Sequence, residues 1–155
     1  MTIEAGDQAP DFTLRDHAGS PVSLGDFAGS RLLLYFYPKA FTPGCTTQAC
    51  DLRDRYDVFT ESGHSIAGIS PDPVEKLDRF RAEHNLPFAL LSDEDHAVAI
   101  AYGAWGIKKN YGREYEGLIR SSFVIGPTGT IEHAWRNVRA SGHGDRIVRE
   151  LGAAD

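Results

Sequence analysis

Apolar and polar positions along this chain fall into short runs of two kinds that take turns. Phe12-Thr13-Leu14 and Val22-Ser23-Leu24 flank the turn-rich Asp16-His17-Ala18-Gly19-Ser20 and predict a small N-terminal hairpin. Leu32 to Tyr37 is continuously apolar, as in a central strand covered on both faces, and Pro38 ends it. After a loop from Lys39 to Gly44, a helix is predicted over about 45–60. Its apolar positions Cys45, Ala49, Leu52, Tyr56 and Phe59 recur at spacings of 4, 3, 4 and 3, one face of a helix. Ile66 to Ser70 reads as a second buried strand. Pro73 then opens a helix with Val74, Leu77 and Phe80 facing inward and His84-Asn85 near its end.

Phe88 to Leu91 reads as a third strand. Ser92 is expected to cap the following helix, with Asp93, Glu94 and Asp95 in the first turn, where negative charge suits the helix dipole. Tyr102 to Ile119 is rich in Gly, Lys and Tyr without a clear period and reads as a long surface loop. Arg120 to Ile125, Gly126-Pro127-Thr128-Gly129 and Thr130 to Trp135 have the pattern of a hairpin. A helix over roughly 145–151 follows. Alternation of this kind predicts an α/β domain, and residues 1–155 are expected to form one.

Composition narrows the function classes. Hydrophobic residues make up 41% and charged residues 25% of the 155, which sets aside disordered and fibrous chains. The longest apolar runs, Leu32 to Tyr37 and Ala97 to Tyr102, are six residues, against about 20 needed to cross a bilayer, so no membrane association is expected. Met1 to Asp7 has no basic segment followed by an apolar stretch, so no secretory signal is expected, and a cytoplasmic location is. The net charge of -6 disfavours nucleic acid as a partner, because phosphate neutralisation needs clustered cations. The six histidines show no paired metal-ligand spacing and are read as surface or core residues.

Two cysteines are too few for a disulfide scaffold or a four-thiolate zinc site, and both lie in one segment, at Cys45 and Cys50. Five helical residues rise about 7.5 Å, which separates the two Cα atoms by roughly 8 to 9 Å. Bridgeable pairs lie within about 7 Å. If both are helical, they cannot bond until the first turns unwind, which suits a disulfide formed during a catalytic cycle better than a static one. Cys50 falls on the polar side with Arg53, Asp54 and Asp57. On spacing alone, Cys45 as a plain core residue with Cys50 incidental remains an equal reading.

The residues before Cys45 change that balance. Pro38-Lys39-Ala40-Phe41-Thr42-Pro43-Gly44-Cys45-Thr46 places a thiol at a helix start, where free backbone N–H groups and the dipole stabilise a thiolate. The same N–H groups can hold negative charge developing on a substrate oxygen. The Thr42 hydroxyl can donate to sulfur or to a bound oxygen. Gly44 lets a ligand approach the backbone, and Pro38 and Pro43 stiffen the loop.

These residues resemble the peroxiredoxins, within them the peroxiredoxin Q or bacterioferritin comigratory protein group. The motif Pro-x-x-x-Thr-x-x-Cys is matched by Pro38, Thr42 and Cys45, and the longer string Tyr-Pro-Lys-x-x-Thr-Pro-Gly-Cys-Thr from Tyr37 to Thr46. A second cysteine five residues on, at Cys50, marks the Q group. Lys108-Lys109, Tyr111-Gly112-Arg113, Tyr115, Gly117 and Arg120-Ser121-Ser122-Phe123 look like the family's loop before its catalytic arginine. The likeness runs from about Gly6 to the C-terminal helix. Two departures, Ile119 where a polar residue is common and Gly126 where Asp is common, leave the chemistry untouched.

The resemblance implies a thioredoxin-like fold: a central mixed β-sheet flanked by helices, with an extra N-terminal β-hairpin. It implies a thiol peroxidase acting on hydrogen peroxide and organic hydroperoxides, with no cofactor and no metal. Cys45 would be the peroxidatic nucleophile, oxidised to a sulfenic acid, and Cys50 the resolving thiol that forms an intramolecular disulfide. Thr42, Arg120 and the backbone N–H groups of Gly44 and Cys45 would bind the peroxide, with Pro38 shielding the site. Thioredoxin or a similar dithiol would recycle the disulfide, and the Q group suggests a monomer. Among the twelve arginines, Arg31 and Arg53 are nearer Cys45 in sequence, and family position alone selects Arg120. Two other classes remain open: a thiol–disulfide oxidoreductase, which insulin reduction would reveal, and a non-enzymatic redox sensor, which stoichiometric peroxide loss would reveal.

Overall fold

In the computed structural model, which describes residues 3–110 and 112–152, the central strand is the apolar run at its expected place. Strand β3 (Arg31–Phe36) has every residue after Arg31 buried, because its alternating side chains enter two separate cores. Leu33 and Tyr35 join one cluster, and Leu32, Leu34 and Phe36 join the other. Each fully buried side chain of this size contributes about 1.5–3 kcal/mol by leaving water.

Around β3 the sheet has seven strands: β1 (Thr13–Asp16), β2 (Pro21–Ser23), β4 (His64–Ser70), β5 (Ala89–Ser92), β8 (Ser121–Ile125) and β9 (Ile131–Trp135) complete it, in the order β2-β1-β5-β4-β3-β8-β9. β3 and β5 run parallel to β4, whereas β8 runs antiparallel to β3, so the sheet is mixed. The β1–β2 hairpin pairs through Leu14 and Val22 as the sequence predicts, and β1 joins the edge of β5. One face is covered by α1 (Pro43–Asp54), α2 (Tyr56–Glu61), α3 (Val74–Glu83) and α5 (His143–Gly152), which contribute Cys45, Leu52, Phe59, Leu77, Phe80 and Ile147 to its core. The opposite face is covered by α4 (Ala97–Ala101) and the N-terminal segment, through Ala99, Ile3, Ala9 and Phe12. Among the described residues no helix is long and apolar enough to cross a membrane.

Three local expectations are corrected. The helix expected over 45–60 is two helices, because Arg55 leaves the helical conformation (φ -105°, ψ 9°) between α1 and α2. Buried Leu52 and Phe59 lie on either side of this break, which keeps the apolar face continuous. The stretch read as a loop is an antiparallel ribbon, β6 (Trp105–Asn110) with β7 (Arg113–Leu118). Its residues are mostly exposed on both faces, so no apolar alternation marks it in the sequence. Tyr111, at its turn, lies outside the described residues.

Ser92 ends β5 instead of capping a helix, and its hydroxyl donates to the Asp72 carbonyl at 2.6 Å. Asp93, Glu94 and Asp95 precede the helix, which starts at Ala97, and do not form its first turn; the Asp93 carboxylate reaches forward to accept the N–H groups of Val98 (3.2 Å) and Ala99 (2.9 Å). Burial pushes the Asp93 carboxyl up, opposed by those two hydrogen bonds.

Candidate active site

The segment leaving β3 is held at each step. The Tyr37 N–H makes a strand-like bond to the Ile69 carbonyl (3.0 Å), and half-buried Pro38 then ends the ladder. Two residues on, the Ala40 N–H donates to Asp72 Oδ2 at 2.7 Å. That same oxygen accepts the Ser70 hydroxyl at 2.8 Å, while Lys76 Nζ stands 3.2 Å from Oδ1. Asp72 therefore clamps the loop to the β4–α3 connection. Phe41 turns the chain with φ 68°, a conformation that costs a bulky residue about 1–3 kcal/mol. Its ring is fixed edge-on against Phe80, centroids 5.2 Å apart.

Thr42 is the N-cap of α1 and Pro43 its first residue. The first bond of the helix runs from the Thr46 N–H to the Thr42 carbonyl (2.9 Å), so the N–H groups of Gly44 and Cys45 precede the ladder. The Thr42 side chain makes no cap bond. Its hydroxyl donates to the Lys39 carbonyl at 2.7 Å, and its oxygen lone pairs remain as acceptors.

Cys45 is 1% exposed and carries a free thiol packed in the cluster that holds Tyr35 and Tyr37. Burial raises the Tyr35 phenol well above its usual range, and burial likewise raises that of Tyr37, so both stay neutral beside the sulfur.

Arg120 arrives from the far side, in the link between β7 and β8. The Ile119 N–H to the Ala104 carbonyl (2.7 Å) and the Val138 N–H to the Arg120 carbonyl (3.0 Å) fix its backbone. Its Nη2 donates to Cys45 Sγ at 3.2 Å, and its Nη1 donates to Gln48 Oε1. A donor of fixed positive charge thus meets the sulfur at a helix start whose first N–H groups lie outside the ladder, an arrangement that favours an anion there. Gly44 lines the same spot: a Cβ there would stand 3.4 Å from Arg120 Nη2.

The β6–β7 ribbon brings a second cation. Lys108 Nζ donates to the Leu118 carbonyl at 2.9 Å, two residues before Arg120. Its amine is pulled below the usual lysine range by partial burial first and by the Arg120 charge second.

Cys50, a free thiol, lies half-buried on the same helix, with Sγ 3.9 Å from His84 Nδ1 at the end of α3. Arg53 Nη1 donates to the His84 carbonyl at 2.8 Å. The structure thus gathers Cys45, Arg120, Gly44 and Thr42 at the start of α1, Pro38 at the base of the loop, and Cys50 one and a half turns away. The two rival arginines are engaged elsewhere, Arg31 with Glu132 at 2.8 Å and Arg53 with Asp54 at 3.0 Å.

Sequence reasoning missed Gln48, Asp72, Lys108 and His84. Gln48 carries a usable signal, since three residues after Cys45 is the same face of a helix. Asp72 and His84 come from other elements, and only the folded sheet brings them near.

Residues 5–134 match the model of the AhpC/TSA family. The chain is 48% identical to Peroxiredoxin Bcp of Bacillus subtilis (97% of this chain, 96% of the relative). It is 49% identical to Peroxiredoxin Bcp of Escherichia coli (96% of each). Among solved structures it superposes with TM-score 0.92 on PrxQ of Xylella fastidiosa at 31% identity, covering 99% of this chain and 98% of that one. It superposes with TM-score 0.86 on the bacterioferritin comigratory protein of Xanthomonas campestris, a structure described for its alkyl peroxide reduction activity, at 36% identity over 92% of this chain and 91% of that one.

Proposed function

The chain belongs to the AhpC/TSA family, among the peroxiredoxins of the Q or bacterioferritin comigratory protein group, and from that premise we propose how its own residues carry the reaction. It is a thiol-dependent peroxidase on a thioredoxin-like fold, using a peroxide as oxidant and a thiol reductant to recycle. The observation that carries the residue assignment is the 3.2 Å contact of Arg120 Nη2 with Cys45 Sγ at an uncapped helix start.

Cys45 is the nucleophile. Its thiolate attacks one peroxide oxygen, the O–O bond breaks, and the sulfur becomes a sulfenic acid while water or an alcohol leaves. Arg120 and the N–H groups of Gly44 and Cys45 offset the charge on the departing oxygen. Thr42, whose hydroxyl proton is engaged with the Lys39 carbonyl, accepts a hydrogen bond from the peroxide O–H and so orients it. Pro38 keeps the base of the loop stiff and dry. Gln48 and Asp72 are positioning residues, one for Arg120 and one for the loop.

Cys50 resolves the sulfenic acid. The first turn of α1 unwinds so that the two sulfurs meet, at modest cost because that turn has no side-chain cap. The half of α1 that holds Cys50 stays tied, through Arg53 to the His84 carbonyl and through Asp51 Oδ2 to the Gly144 N–H (2.9 Å). An external dithiol, thioredoxin or a similar donor, then reduces the disulfide. The chain acts as one domain over residues 1–155 and as a monomer, with no nucleic-acid or membrane partner. It works in the cytoplasm, where such donors are kept reduced.

Peroxide-dependent NADPH consumption in a thioredoxin-coupled assay tests this. Wild type turns over, Cys45→Ser does not, and Cys50→Ser stalls after about one turnover. Normal cycling by Cys50→Ser would move the resolving role elsewhere.

A further inference from the structure

Nothing in the reaction so far uses the imidazole beside Cys50. His84 is the C-cap of α3, where the chain turns, and the turn is locked. The Asn85 N–H bonds to the Ala82 carbonyl (3.4 Å) and the Leu86 N–H to the Arg81 carbonyl (3.0 Å), with Asn85 left-handed at φ 50°. This pair of bonds fixes the helix end and with it the base of the His84 side chain. The ring is further held edge-on against Phe80, centroids 5.2 Å apart. Arg53, on α1, donates to the His84 carbonyl, so α1 and the end of α3 are joined at the level of Cys50. Within that frame Nδ1 faces Cys50 Sγ at 3.9 Å.

A thiol must lose its proton to attack, and an ordinary cysteine at neutral pH is only a few per cent thiolate. Cys45 has Arg120 and the helix N-terminus to favour its anion; Cys50, two-thirds of the way along α1, has neither. We propose that His84 is the base that deprotonates Cys50 for the resolving step, an inference that rests on the resolving role given to Cys50 above. The Cys50 S–H proton passes to Nδ1. The Cys50 thiolate attacks Sγ of the Cys45 sulfenic acid, forming the S–S bond and breaking the S–O bond. The departing hydroxide takes a proton from solvent and leaves as water, and the imidazolium returns its proton to solvent. The unwinding end is the Cys45 end, so the Cys50–His84 pair stays in place while the other sulfur arrives.

The charged group on α1 that contacts His84 is Arg53, through the His84 carbonyl, itself paired with Asp54 at 3.0 Å, and the chain neighbours Glu83 and Asn85 are exposed. The guanidinium that grips the His84 carbonyl also stabilises a Cys50 thiolate once formed.

Rapid mixing of the reduced protein with one equivalent of hydrogen peroxide, quenched with an alkylating agent and read by intact mass, separates the two chemical steps. In His84→Asn, addition of one oxygen at Cys45 should keep its wild-type rate, which also shows that the variant is folded. Disulfide formation should slow about tenfold or more below about pH 7 and converge on wild type above about pH 9, where a thiol ionises unaided. A wild-type disulfide rate throughout, or a slowing of equal size at every pH, would overturn the role of His84. If Cys50→Ser in the same experiment still formed a cycling disulfide, the resolving assignment itself would fall instead.

Discussion

Arg120 reaches Gln48 and Cys45 with the two arms of one guanidinium: Nη1 donates to Gln48 Oε1 while Nη2 donates to Cys45 Sγ. Gln48 is buried, three residues beyond Cys45 on α1, so the helix that carries the sulfur also carries the group that aims the cation at it. A planar fork offers the two partners separate nitrogens in a fixed geometry, which the single nitrogen of an ammonium does not reproduce.

Arg120→Ala should therefore slow the peroxide step by about 10²–10³-fold, the loss found when one stabiliser of a developing oxyanion is removed. Arg120→Lys should recover only part of it. Gln48→Met keeps the volume and removes the acceptor, and should cost about tenfold in the same step, smaller than the arginine loss because the guanidinium is still present. Stopped-flow oxidation rates with hydrogen peroxide check all three; a Gln48→Met rate equal to wild type would remove Gln48 from the site.

Asp72 joins the loop before α1 to the start of α3, through the Ala40 N–H, the Ser70 hydroxyl and Lys76. Asp72→Ala leaves a buried N–H and a hydroxyl without their acceptor, which should destabilise the fold by about 1–3 kcal/mol in urea unfolding. Since Ala40 stands two residues before Thr42, the peroxide step should slow as well, by several-fold. Loss of stability with an unchanged oxidation rate would show that the loop holds its shape without this clamp.

Tyr35 lies across Gly68 of the neighbouring strand, in the cluster that also holds Cys45. A Cβ at Gly68 would stand 2.8 Å from Cζ and 2.9 Å from the hydroxyl oxygen of Tyr35. Tyr35 is walled in by the stacked ring of Tyr37, centroids 5.4 Å apart, and cannot step aside. Gly68→Ala should cost about 1–3 kcal/mol by overpacking, and Gly68→Ala with Tyr35→Leu should recover much of it. Denaturant midpoints of the four proteins form the cycle that checks the coupling.

His143 is buried at the start of α5, with Nε2 3.0 Å from the Ser122 hydroxyl, and burial lowers it from 6.5 to about 4, with the Arg146 charge adding to the effect. The folded state favours the neutral ring, so as pH falls the unfolded chain takes up this proton first. Stability should fall between about pH 6.5 and 4 by up to about 1.4 kcal/mol per pH unit from this group, and level off below its folded value. Unfolding free energies of wild type and His143→Gln across that range check it: the variant's slope should be shallower by up to one proton, and parallel slopes would contradict it.

The parts of this fold legible from the chain are those where burial imprints a period. The continuous apolar run of β3 and the spacing of Cys45, Ala49, Leu52 and Phe59 both survive in the structure. The β6–β7 ribbon left no such imprint, because only its base, at Trp105 and Leu118, packs into the core while most of its other side chains are exposed. Ser92 was misplaced because a Ser-Asp-Glu-Asp string fits both a helix start and a strand end whose hydroxyl serves Asp72. In the site, residues from the Cys45 segment could be found by reading along the chain. Arg120 could be picked out only through a resemblance, and His84 not at all, since its proximity to Cys50 exists only once the fold brings the C-terminal end of α3 against α1.

The most direct trial of the account is the intact mass of the fully reduced chain after one equivalent of hydrogen peroxide, with peptide mapping of the product. Loss of two hydrogens, located to a link between positions 45 and 50, is the predicted result, with a single added oxygen at Cys45 when Cys50 is serine. Oxygen appearing on Cys50 while Cys45 stays reduced, or no change in either sulfur, would contradict it.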